Sequence, residues 1–572
     1  VTRVSSSISA KGGVLGGDGG FIETSGSRLN IEAAASVSAA APKGKAGEWL
    51  LDPVDVTIQS GTGSNIPSNN SVTNTSSVNA DSLTTALFGG SAVTIDTVGT
   101  GSSSGIITIN SPIAVVNGAA NASLTLTANN NIILNSAITA SGSNTLPVTL
   151  NAGGTIGGAG AINTNGGTLT LNTASGSGTL SGVISGTGGL TKTGEGAVVL
   201  SASNTYTGPT QVTKGTLTAG NISAFGSNSA VTMADDATAA LSLGGYRVAI
   251  GSLAGGGANG GNVSLGTTGF LTVGNNGTTT TYAGVISGGA PLALTDSSAS
   301  EINLRTATAI GSNAISGIDK VGAGNWTLSG LNTYQGLTRV SVGTLTAGVG
   351  SNDGLTASAL GKASTVVVWG TANLNLNSFN TEIGLLRMES GTSTLTLGNA
   401  TLTVNTFATI EEGDARSTRF NGKISGSGNL FVKGSGTVFF ISVGNFASDY
   451  SGTTTIEKNA RVQIGSSSAN ANEAFKGTGE FINNGLITYI ETGYNRDFKN
   501  KISGEGKVAI NFSGNITATL SGANTYTGGI TFSGPLASGA TLKAGSSSAF
   551  GTNAPMTVNA GATLDLGGNS NS

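Results

Sequence analysis

Apolar and polar residues alternate along most of this chain in short runs: IITIN from Ile106, LTLTAN from Leu124, VTLNAGG from Val148, LTLNTASG from Leu169, LTVGNNG from Leu271 and LTLGNATLTVN from Leu395. Each run places Ile, Leu or Val on one face and Thr or Asn on the other, the period of two of a half-buried strand. Gly, Asn and Ser fill the gaps, and these residues adopt turns readily. The pattern predicts strands and turns throughout and no helix, because Lys, Glu and Arg are scarce and Gly is too frequent for a helical stretch to hold. Two all-β architectures fit. A sandwich calls for larger core aromatics, whereas a solenoid buries a thin core of small aliphatics with Asn, Thr and Gly at its corners.

Repetition favours the solenoid. NTYTGPTQVTKGTLTAG from Asn204 returns as NTYQGLTRVSVGTLTAG from Asn332, 332 − 204 = 128 positions on, with 12 of 17 residues identical. The differences are Thr207/Gln335, Pro209/Leu337, Gln211/Arg339, Thr213/Ser341 and Lys214/Val342. Looser copies keep the same order of residue types: Tyr450, Gly452 and Ile456, then Tyr526, Gly528 and Phe532. The repeat residues singled out are therefore Tyr206, Gly208, Tyr334, Gly336, Tyr450, Gly452, Tyr526 and Gly528. Flanking units recur as well, GVISGTGGL at Gly182, GVISGGAPL at Gly284, GKISGSGNL at Gly422 and KISGEGKVAI at Lys501, with a SAFGSN-type turn at Ser223, Ser358 and Ser548. The expected fold is all-β, a parallel β-helix or β-solenoid, with strands stacking on their equivalents one coil later. At ~4.8 Å per rung and roughly 20 residues per coil, it would extend on the order of 130 Å.

Composition narrows the chemistry. The chain has 572 residues, 93 Gly, 9% charged residues, no Cys and no His. A hydrophobic content of 37% separates it from a disordered chain. Absent Cys suits passage through an oxidising compartment. A net charge of −3 offers no basic field, so nucleic acid is not an expected partner. No run reaches the ~18 to 20 apolar residues of a membrane helix. The opening VTRVSSSISAKGGVLGG has neither an initiator Met nor a signal-peptide stretch, and reads as part of a longer protein.

GGLTKTGEGAVVLSASNTYTGPTQVTKGTLTAG, from Gly188, and GIDKVGAGNWTLSGLNTYQGLTRVSVGTLTAG, from Gly317, resemble the passenger-associated transport repeat, the autotransporter-associated β-strand repeat of bacterial secreted surface proteins. That resemblance implies a right-handed parallel β-helix concerned with secretion and architecture. GGDGGFIETSG from Gly16 and GKAGEWLLDPVDVTI from Gly44 resemble the segment behind the secretion domain of filamentous-haemagglutinin-like exoproteins of two-partner secretion systems. This second resemblance implies export through an outer-membrane transporter, although the family's amino-terminal secretion domain is missing and no β-barrel ends the chain. The implied domains are residues 1–60, a haemagglutinin-like β-helix segment; 61–181, degenerate coils; and 182–572, the passenger-repeat β-helix.

Candidate chemistry is thin. Without His, Ser-His-Asp triads and histidine metal sites are excluded. Asp235-Asp236 and Glu411, Glu412 and Asp414 could pair carboxylates for glycoside hydrolysis, but their Ala/Gly-rich setting reads as solvated turn. Asp18 in GGVLGGDGGF resembles a single calcium nonapeptide without the tandem copies such sites need. Sequons at Asn69, Asn121, Asn399 and Asn515 are expected from an Asn-, Ser- and Thr-rich composition. The four tyrosines could form a carbohydrate-stacking row, but their fixed distance to a Gly and a strand favours corner residues.

No catalytic, cofactor or metal residue is assigned. The expected function is a secreted bacterial surface adhesin or stalk, with an outer-membrane transporter as export partner and a host surface, neighbouring-cell surface or glycan as target. A structural subunit joined head to tail into an extracellular filament ranks second, since neither end reads as a polar cap. A polysaccharide-active enzyme ranks third.

Overall fold

The computed structural model describes residues 1–61, 75–97, 105–226, 228–291, 315–352, 357–362, 364–406, 417–441, 448–465, 477–491, 493–512, 514–533 and 539–569. Strands and turns make up nearly all of it, and every strand pairing among the described residues is parallel. The fold is a β-solenoid. Two compact units divide the chain: Val1–Asn276 with Ala283–Val285, and Gly277–Tyr282 with Ile286–Ser572.

In the first unit each coil contributes one strand to each of several ladders, as in Ser123–Ala128, Ile132–Leu134 and Ile138–Ser141, followed one coil later by Val148–Ala152, Ile156–Gly158 and Ile162–Asn163. The coil length follows from the register. Leu124 lies beside Val148, Val148 beside Leu169, Leu169 beside Leu190 and Leu190 beside Thr210. These steps are 148 − 124 = 24, 169 − 148 = 21, 190 − 169 = 21 and 210 − 190 = 20 residues. Because side chains alternate across a strand, in-register stacking puts Leu on Leu inside and Thr on Thr outside. The interior column Ile95, Leu126, Leu150, Leu171 is buried, while Thr94, Thr125, Thr149, Thr170 and Thr191 line up on the outer face.

The second unit stacks in the same way, with one ladder running from Gly317–Lys320 to Met556–Val558 and another from Thr381–Ile383 to Ile502–Ser503. Its core holds more large rings. Phe420 and Phe440 lie 4.9 Å apart, and Tyr489 packs 3.9 Å from Phe498.

One element departs from the sequence expectation: residues Ala80–Phe88 form an α-helix. Asn79 caps it, its side chain accepting hydrogen bonds from the backbone N–H of Asp81 at 2.9 Å and Ser82 at 3.1 Å. Leu83, Ala86 and Leu87, spaced for one helical face, are buried against neighbouring coils. A cap followed by one short apolar stripe suffices for nine residues when tertiary packing holds them, which chain-wide scarcity of helix formers does not reveal.

Candidate functional site: the stacked repeat corner

Within each copy, the repeated residues converge on a corner of the coil. In the first copy, the Asn204 side chain accepts a hydrogen bond from the Ile184 N–H at 2.8 Å and donates to the Ala224 carbonyl at 2.6 Å. Ile184 belongs to the ISG unit and Ala224 to the SAFG turn, so one buried Asn joins the three recurring sequence units. Asn332 repeats this with Ile286 at 2.7 Å and Ala359 at 2.8 Å, and Asn524 with Ile502 at 2.8 Å and Ala549 at 2.7 Å. In the Tyr450 copy Ser448 takes the position and receives the Ile424 N–H at 3.3 Å.

Tyr206, Tyr334, Tyr450 and Tyr526 are all buried, so none is available for stacking on a sugar. Burial pushes each hydroxyl well above the usual tyrosine range. Three hydroxyls have a threonine partner four residues on: Tyr206 with Thr210 at 2.7 Å, Tyr334 with Thr338 at 2.5 Å, and Tyr450 with Thr454. At Tyr526 the fourth residue on is Ile530, and the hydroxyl has no partner among the described residues. Above the rings sit the turn glycines of the next coil. A Cβ on Gly226, Gly361 or Gly551 would lie 2.3, 2.6 or 2.4 Å from the carbonyl oxygen of Tyr206, Tyr334 or Tyr526, and each of these glycines has positive φ.

The repeat glycines allow backbone to approach backbone. A Cβ on Gly208 would fall 2.4 Å from the Gly188 carbonyl, on Gly336 2.4 Å from the Ser316 oxygen, on Gly452 2.0 Å from the Gly428 oxygen and on Gly528 2.1 Å from the Glu505 oxygen. No side chain fits there.

Two buried lysines escape the sequence reading. Lys192 stacks on Leu171 and beneath Val212 in a core column, and its Nζ donates to the carbonyls of Thr193 at 2.6 Å, Gly194 at 2.7 Å and Lys214 at 3.3 Å. Lys320 does the same with Val321 at 2.7 Å, Gly322 at 2.7 Å and Val342 at 3.2 Å. Burial lowers both amines to about 8. The signal was legible: both lysines stand at inward positions of strands, two residues after Leu190 and Ile318. In the loose copies the registered positions hold Val432 and Ile510.

The candidate carboxylates are occupied by turns. Asp235 accepts from the N–H of Asn259 at 2.8 Å and Gly260 at 3.1 Å, and from Asn259 Nδ2 at 3.0 Å. Asp236 accepts from the Thr238 hydroxyl at 2.7 Å and its N–H at 2.9 Å, and these bonds lower its carboxyl. Asp18 receives the Lys45 N–H at 2.8 Å. Glu411, Glu412, Asp414 and Asn69 lie outside the described residues. Asn121, Asn399 and Asn515 are exposed. Among the described residues no three metal-ligating side chains converge.

Residues 190–219, 318–347 and 517–534 match the passenger-associated-transport-repeat family. Over 159 residues, 28% of this chain, the sequence is 42% identical to the adhesin BmaC autotransporter of Brucella suis biovar 1 (strain 1330). That stretch is 4% of the relative's length, so this chain matches a small part of it.

Proposed function

We propose that this chain belongs to the exported, surface-exposed region of a Gram-negative bacterial adhesin, where its solenoid coils hold binding surfaces away from the cell. One observation carries the reading: the stretches matched to passenger repeats include Tyr206, Tyr334 and Tyr526, the buried residues on which successive coils stack. The repeat thus serves as a stacking unit, and its residues are spent on holding coils together. The candidate carboxylates Asp18, Asp235 and Asp236 accept hydrogen bonds that hold turns and adjacent coils, which supports a binding role over a catalytic one. A sequence that folds by adding coils also suits export in an unfolded state, because each new coil has a template in the one before it.

The export partner is an outer-membrane transporter, and GKAGEWLLDPVDVTI supports a two-partner route. The target is a host surface, a neighbouring-cell surface or a glycan reached by side faces and loops. The related adhesin favours attachment over a head-to-tail filament.

Beads coated with the purified chain, and albumin-coated beads as control, should be counted after washing on cultured animal cells, on bacteria and on immobilised glycans. Retention on one of these surfaces well above the albumin control is expected. Equal counts everywhere would reject an adhesive role for this part of the protein.

A further inference from the structure

Asp-Pro occurs once in the sequence, at Asp52–Pro53. This dipeptide is chemically special: the side-chain carboxyl can reach its own main-chain carbonyl carbon in a five-membered ring, and proline nitrogen, a tertiary amide, leaves as a basic secondary amine. Asp52 ends the strand Glu48–Asp52 and is half-buried, and Pro53 is buried. The Asp52 carbonyl oxygen accepts a hydrogen bond from the Gly26 N–H at 3.2 Å, a donor placed where charge would develop during attack on that carbonyl.

Strand Phe21–Ser25 places Ser25 beside Asp52, and strand Ala92–Asp96 pairs so that Leu51 lies beside Ile95, with Asp96 one position further on. The charged residues of these three strands are Glu23, Glu48, Asp52 and Asp96, and Asp55 opens the next strand, so every one is acidic. Glu23 accepts from the Ser25 hydroxyl at 2.7 Å, Glu48 from the Thr94 hydroxyl at 2.7 Å and Asp55 from the Ile106 N–H at 2.8 Å. Burial, then the charges of Asp96 and Glu23, hold the Asp52 carboxyl above its usual range and favour the protonated form.

We propose that Asp52–Pro53 is a built-in processing site at which the folded chain cuts its own backbone under mildly acidic conditions. An Asp52 side-chain oxygen bonds to the Asp52 carbonyl carbon, and the oxyanion is held by the Gly26 N–H. The carbon–nitrogen bond to Pro53 then breaks as the nitrogen takes up the carboxyl proton. This leaves a cyclic anhydride on Asp52 and a free amine on Pro53. Water opens the anhydride and restores two carboxyl groups at Asp52. The overall reaction is hydrolysis, with no oxidant or cofactor required. The fragments have 52 and 572 − 52 = 520 residues. They stay associated after cutting, because Glu48–Asp52 remains paired with Ala92–Asp96.

The test incubates the full chain at about pH 5 and about pH 8, then reads denaturing gels and the masses and amino termini of any fragments. The expected result is a new terminus at Pro53, formed at the lower pH at least about tenfold faster in the folded chain than in the same chain unfolded in urea. Asp52→Asn should abolish the cut while circular dichroism still reports β-structure. Asp96→Asn should keep the cut and move its pH midpoint downward. No Pro53 terminus, an equal rate in Asp52→Asn, or an equal rate in the unfolded chain would each overturn the proposal.

Discussion

The close copies of the repeat corner, around Tyr206 and Tyr334, and the loose copies, around Tyr450 and Tyr526, perform the same stacking with different side chains. All four keep a buried Tyr and a Gly two residues on. The Asn that bridges three coils becomes Ser448 in one loose copy, the threonine under the Tyr hydroxyl becomes Ile530 in the other, and the buried lysine becomes Val432 or Ile510. Backbone-on-backbone contact has no substitute, because a Cβ at the repeat Gly meets main-chain atoms in every copy. Side-chain pairings do have substitutes, since an apolar residue or a smaller acceptor can fill the same space at modest cost.

The largest effect should therefore fall on the glycines and should not separate the close copies from the loose ones. Gly208→Ala and Gly452→Ala should each weaken their coil by about 3 kcal/mol, and Gly336→Ala, with φ of +111°, should lose more. Urea unfolding with hydrogen exchange on the flanking strands measures this. A loss at Gly208 but not at Gly452 would mean that the loose coils relax around the added methyl.

Next comes the bridging Asn, where the copies should divide. Asn204→Ala strands the Ile184 N–H and the Ala224 carbonyl and should cost about 2 to 3 kcal/mol, with Asn524→Ala similar. Ser448→Ala removes one long bond and should cost about 1 kcal/mol or less. Equal losses at the three sites would end the distinction.

Smaller still is the tyrosine hydroxyl. Tyr206→Phe should cost about 1 kcal/mol, whereas Tyr526→Phe, which removes an unpartnered buried hydroxyl, should be neutral or stabilising by a similar amount. Thermal unfolding of the two variants side by side settles the sign.

The lysines should change stability least and its pH dependence most. The corner carbonyls around Lys192 belong to half-buried or exposed residues and can turn to water, so Lys192→Met should shift stability by under about 1 kcal/mol at neutral pH. Each folded amine titrates near 8 rather than 10.5, so between those values the unfolded chain binds more protons. Stability should then rise with pH from about 8 to about 9, below the range in which the unfolded chain's tyrosines ionise while the buried ones do not and reverse the slope, and the rise should shrink when both lysines become Met. A falling curve between about pH 8 and about pH 9 in wild type would contradict the burial of the amines.

Strands, turns, coil repetition and the solenoid class were legible in the sequence because the period of two and the recurrence of near-identical segments are written locally, residue by residue. The nine-residue helix was not, since Asn79 and the Leu83, Ala86 and Leu87 stripe form it only against neighbouring coils. Nor was the meaning of the three recurring units. Sequence showed that ISG, NTY and SAFG recur in order, but their joining through one Asn depends on a coil length of about 20 residues that places them on successive rungs. Lys192 and Lys320 were visible as letters at inward positions, yet their three carbonyl partners come partly from the next coil. The strand period and the repeating unit are set by neighbours along the chain and can be read from the residues alone. Which residues meet across rungs depends on the register at which one coil settles on the last, and that register exists only in the folded molecule.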